Sequence, residues 1–65
     1  MSRFFSKDYY PEYYKIVNIE YFDERTLNRY YTRAWLAWDE DNGYIWTVDG
    51  TNRWISNIEV LDWWD

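Results

Sequence analysis

The stretch Arg33–Asp49 reads RAWLAWDEDNGYIWTVD, two apolar runs either side of an acidic segment that ends in Asn-Gly. Asn-Gly between alternating hydrophobics is the strongest short-range hairpin signal, because both residues tolerate the left-handed backbone of tight turns. Pairing Trp38 with Tyr44 sets Leu36 opposite Trp46 and Ala34 opposite Val48 on one face. The other face then pairs Ala37 with Ile45, Trp35 with Thr47 and Arg33 with Asp49. One face is wholly apolar, and the other ends in an opposite-charge pair. A loop of Asn42-Gly43 alone would set Leu36 against Asp49, and a one-residue slip would mix the two faces. The apolar register is therefore the expected one. It points Trp38, Tyr44 and Trp46 inward and leaves Tyr31 and Trp35 outward.

Upstream, Asp23–Trp38 can also be read as a helix, since Leu27, Tyr31, Ala34 and Trp38 are spaced by four, three and four. That helix would expose Leu36 on a stripe of Arg25, Arg29 and Arg33, and its Tyr-Tyr-Thr interior prefers strand. The hairpin it would destroy decides for strands. The run YYKIVNIEYF at 13–22 is aromatic and β-branched, with Val17, Ile19 and Tyr21 on one face. A second turn falls at Asp49–Asn52. Five strands follow, at 13–22, 30–38, 44–49, 53–55 and 58–63, with an irregular N-terminal arm at 1–12. The expected class is all-β and mainly antiparallel: one domain over 1–65, as a small five-stranded barrel or a strongly curved sheet.

The rhythm of long, medium and tight connections, then one short turn before the last strand, resembles an SH3-like barrel. Trp54-Ile55-Ser56-Asn57-Ile58-Glu59-Val60 is similar to the segment around that turn in SH3 domains, without their usual Pro. Glu20-Tyr21-Phe22-Asp23 only partly matches their first-strand motif, and the paired Trp of their third strand is missing. The resemblance thus implies the fold more than the proline-rich ligand.

Composition narrows the function. The 65 residues hold no Cys and no His, so disulfides, thiolate metal sites and most acid–base chemistry have no side chains to use. No nucleophile elbow, phosphate loop or metal-ligand spacing is present, so the chain reads as non-enzymatic and free of cofactors. Met1–Asp8 lacks the pattern of a signal peptide, and no uncharged run nears the roughly 20 residues of a membrane span. A cytoplasmic location is the expectation.

Two features point to binding. Six Trp, eight Tyr and three Phe exceed what so small a core can hold, and exposed Trp and Tyr are typical of interfaces. The net charge of −5 is also uneven. Residues 1–33 are close to neutral, whereas 34–65 carry seven acids against Arg53 alone. An acidic field favours a basic partner and opposes polyanions, so direct nucleic-acid binding is disfavoured. The expected partner is a protein with a basic surface or nucleic-acid-binding groove. The chain would act as a nucleic-acid-mimicking inhibitor of the kind encoded by bacterial viruses. The expected contacts are Asp39, Glu40 and Asp41 at the hairpin tip, Asp62, Trp64 and Asp65 at the chain end, and Tyr31 and Trp35 on the outward face. Two alternatives stand beside this reading: a structural subunit or homo-oligomer, and a single-strand nucleic-acid binder using Tyr31, Arg33 and Trp35.

Overall fold

A computed structural model describes residues 9–65 in full and Arg3–Phe4 as backbone. The rest of the expected arm, 1–2 and 5–8, lies outside the described residues. The strands are β1 (Arg3–Phe4), β2 (Val17–Asp23), β3 (Asn28–Asp39), β4 (Gly43–Val48), β5 (Trp54–Ser56) and β6 (Val60–Trp64). They form one antiparallel sheet in the order β1-β6-β2-β3-β4-β5. The all-β class holds, and Asp23–Trp38 is strand, not helix. The sheet does not close into a barrel. The three-residue β5 pairs only with β4, and β6 takes β1 and β2 as its neighbours.

The β3–β4 register is the expected one, with Trp38 opposite Tyr44, Leu36 opposite Trp46 and Ala34 opposite Val48. The ladder continues where the Asp49 N–H donates to the Arg33 carbonyl at 2.9 Å, so these two residues meet through backbone. Val17, Ile19, Ala34, Leu36, Trp46, Ile55, Val60 and Trp63 build the core from the inner face. Trp46 has no solvent exposure at all. Burying its ring would strand the indole N–H, so the donor needs a partner. It finds the Asn57 Oδ1 at 2.9 Å, and the Asn57 amide donates to the Tyr10 hydroxyl at 3.0 Å. Trp63 likewise donates to the Tyr9 carbonyl at 3.0 Å. The segment at 9–10 therefore lies across the inner face as its cover.

Three expectations are corrected. Residues 13–16 are not part of β2, because a turn intervenes: the Lys15 N–H bonds the Glu12 carbonyl and Tyr14 adopts a left-handed φ of 64°. Ile58 and Glu59 belong to a turn before β6, closed by Glu59 N–H to Ser56 O at 2.9 Å. Trp38 keeps to the inner face but is 58% exposed, since it stands near the end of β3 beyond the reach of the cover.

One irregularity could not be anticipated from alternation. Glu20 faces Asp62 but Tyr21 faces Val60, so Leu61 is an extra residue, a bulge in β6. The bulge puts Val60 and Trp63, three apart, on the same inner face. Between Trp63 and Trp64, it is Trp63 that fills the core and Trp64 that stays half-buried on the outer side.

The β2–β3 turn rests on Asp23. Its Oδ1 accepts from the Arg25 N–H at 2.9 Å and from the Arg25 Nε at 3.3 Å, while Leu27 closes the loop in a left-handed φ of 59°. These bonds, the backbone one first, hold the Asp23 carboxyl below its ordinary 3.8. Asp23 therefore stabilises the fold above that value and loses its contribution as pH falls through the depressed one. The melting-temperature gap between wild type and Asp23→Asn should shrink as pH is lowered from about 6 to about 2. A gap that stays constant would overturn this role.

A chain of this size has about 3–10 kcal/mol of stability, from roughly 0.05–0.15 kcal/mol per residue. Leu36→Asp would bury an unpaired charge against Trp46 and should abolish the cooperative thermal transition. Leu36→Ala should cost about 2–5 kcal/mol in urea unfolding.

Candidate functional site

The residues expected to bind fall into two separate places. Along β3, Arg33, in the row of Trp64, is six residue steps from Asp39 at the tip, roughly 20 Å at about 3.3 Å per step.

The first place is the β3–β4 turn. Asp39 opposes Gly43 across a three-residue loop, and Gly43 takes a φ of +75° that a side chain would strain. The Asp39 Oδ2 accepts from the backbone N–H groups of Asp41 at 3.2 Å and Asn42 at 3.0 Å, and from the Asn42 amide at 2.7 Å. This carboxylate is committed to shaping the loop. Glu40 and Asp41 stand exposed beside it. Next to them, Trp38 meets Tyr44 edge-on, with ring centroids 5.0 Å apart and planes at 83°. Tyr44 is stacked on its other sides by Tyr10 at 4.3 Å and Tyr13 at 6.4 Å. A hydrogen bond to Tyr44 pushes the Tyr13 phenol above its ordinary value. The result is a supported aromatic wall with Trp38 and Tyr13 open to solvent and two exposed carboxylates at its rim. Such a wall attracts cationic side chains through the ring faces and through charge.

The second place is the outer face of the sheet. Tyr31, Glu20 and Asp62 lie in one row across β3, β2 and β6. The Tyr31 hydroxyl donates to the Glu20 Oε2 at 3.3 Å, and Arg29 approaches the same oxygen at 3.7 Å. Asp62 is only 8% exposed, as is Glu20, so Asp62 is not the surface acid expected of it. It faces Glu20 of β2, and β6 lies between β1 and β2 in the sheet. Tyr31 meets Trp64 edge-on at 6.2 Å, which unites two expected residues. Trp35 is half-buried on the same face, with Tyr14 against it at 5.4 Å. Asp65 instead pairs with Lys15 at 3.1 Å on the surface, a contact worth about 0–1 kcal/mol.

The expected set missed Trp38, Tyr13 and Glu20. The alternation that placed Trp38 beside Leu36 says nothing about where the cover ends. Glu20 was readable as an outward residue of β2, but its partners Tyr31 and Arg29 come from the neighbouring strand. Among the described residues no three acids stand together as a metal site, and no helix is long and apolar enough to cross a membrane. Neither a protein-family model, nor a curated protein sequence, nor a solved structure matches the chain.

The two kinds of tip carboxylate should separate in mutagenesis. Asp39→Ala should cost about 1 kcal/mol in urea unfolding, through lost hydrogen bonds that hold the loop. Glu40→Gln and Asp41→Asn should stay within about 0.5 kcal/mol of wild type. Equal losses for all three would contradict the division.

Proposed function

We propose that this chain is a non-enzymatic protein-binding module that docks the acidic–aromatic end of its β3–β4 hairpin onto a basic partner protein. The observation that carries this reading is Trp38, exposed at 58% beside Glu40 and Asp41 and braced from behind by Tyr44. An exposed indole on a rigid support is a typical hot-spot anchor. The adjacent carboxylates, in a half of the chain with only Arg53 to offset them, steer basic surfaces toward it. In its sharper form the reading is mimicry. Glu40 and Asp41 stand in for phosphates and the rings for bases, so that the chain occupies a nucleic-acid-binding groove as an inhibitor encoded by a bacterial virus acting in the cytoplasm. The strand order is compatible with an SH3-like scaffold, since β2–β5 form a meander and β6 returns beside β2 after one turn. Against the nucleic-acid-binding alternative, Glu20 shares a row with Tyr31, and Tyr14 lies on Trp35.

The test is capture of host proteins on the immobilised chain, with duplex DNA as competitor. Trp38→Ala, and separately Glu40→Gln with Asp41→Asn, should each weaken capture about tenfold or more, and DNA should displace the partner. Capture that both variants leave intact would place the interface elsewhere. Capture that DNA does not displace would remove the mimicry.

A further inference from the structure

At the opposite end of β3, an open cleft of about 310 Å³ is lined by Phe22, Glu24, Arg29, Ile58, Glu59 and Leu61. Its size sits at the low end of ligand sites, enough for one or two side chains. We propose that this cleft docks a short segment of a partner protein that carries an aliphatic side chain next to a lysine or arginine.

Two of the cleft's apolar residues, Ile58 and Leu61, stand exposed and outside the core cluster. Ile58 is 90% exposed at the apex of the β5–β6 turn. That turn is closed without its side chain, by Glu59 N–H to Ser56 O, Val60 N–H to Asn57 O and Ile58 N–H to the Ser56 hydroxyl. A polar residue would serve the turn equally well. Leu61 is the bulge residue, released from the alternation that would bury it, and bulges commonly re-aim a side chain in this way. Phe22, whose N–H bonds the Glu59 carbonyl at 2.9 Å, lies between the two walls in sequence register with Arg29.

The charged part selects the occupant. Of the two nearby cations, Arg25 is engaged by Asp23 and Arg29 is drawn to Glu20. Glu24 and Glu59 have no ion-pair partner within hydrogen-bonding range among the described residues, although Glu59 is within electrostatic reach of Arg25. An aliphatic anchor with a neighbouring cation complements that arrangement. A second copy does not: a symmetric pair would bring Glu24 and Glu59 against their own copies, between two chains of −5 each.

The probe is the acetylated, amidated peptide Leu-Lys-Leu-Lys, titrated into isotope-labelled protein and followed by amide chemical shifts. Leu-Glu-Leu-Glu and Gly-Lys-Gly-Lys serve as controls. Shifts at 22, 24 and 58–61 should saturate with a Kd on the order of 1 mM for the first peptide only. Ile58→Asp, on a side chain 90% exposed, should weaken binding about tenfold while keeping a dispersed spectrum. Glu24→Gln with Glu59→Gln should weaken it too, whereas Trp38→Ala should leave it unchanged, so the hairpin-tip reading and this one fail separately. The proposal is overturned if no shifts appear, if Ile58→Asp retains them, or if the acidic peptide binds equally. It is also overturned if the same shifts arise from raising protein concentration alone, which would make the occupant a second copy.

Discussion

The indole N–H of Trp46 sets the architecture. A sheet with no helical layer among the described residues must cover its own apolar face, and its largest fully buried side chain carries a polar atom. That atom donates to Asn57, and Asn57 donates to Tyr10, so one satisfied donor links β4, the β5–β6 turn and the segment that crosses the inner face. Tyr10 then stacks on Tyr44, next but one to Trp46 along β4, at 4.3 Å. The cover is thus fixed at two points by polar and aromatic contacts of definite geometry, which greasy contact alone would not specify.

A cover so anchored protects only the middle of the sheet. Leu36 and Trp46 lie beneath it, while the ends of the same face carry rings instead of aliphatics: Trp38 and Tyr44 at one end, Tyr21 and Tyr30 at the other. A ring can bury one side and leave the other wet at less cost than an aliphatic cluster of equal area, since its hydroxyl or N–H can face water. Tyr30, itself exposed, donates its hydroxyl to the Thr26 hydroxyl at 2.9 Å. The aromatic richness of the chain therefore follows from an inner face longer than its cover, and Trp38 is available for recognition because of it.

How much of this was legible depended on the range of the contacts involved. The hairpin from Arg33 to Asp49 is local, and its register followed from two apolar sets that coincide in only one alignment. The return of β6 beside β2 joins distant residues, from Tyr21 with Val60 to Asn18 with Trp64, and no alternation pattern specifies it. The Leu61 bulge is invisible in sequence because its cause, the need to face Val60 and Trp63 to one core, exists only once β6 has docked. Asp62 was misplaced for the same reason: an acid near the chain end looks exposed until β6 has docked and set it opposite Glu20 of β2. Trp38 was misplaced by a correct face and an unknown cover.

The acids also divide by a rule that only the turns reveal. β3 is bounded by two turns, and each opens on an aspartate whose carboxylate accepts the backbone N–H two residues ahead: Asp23 from Arg25, and Asp39 from Asp41. Such Asx turns make the first carboxylate part of the backbone's hydrogen-bond system. The acids that follow, Glu24 in one turn and Glu40 and Asp41 in the other, make no such bond and project from a loop already held in shape. Negative charge at each end of β3 is therefore presented on a fixed frame, beside Trp38 at one end and beside Phe22, Ile58 and Leu61 at the other. A partner meeting either end does not have to order the loop that carries the charge, and the entropy that ordering would consume is left to the contact itself.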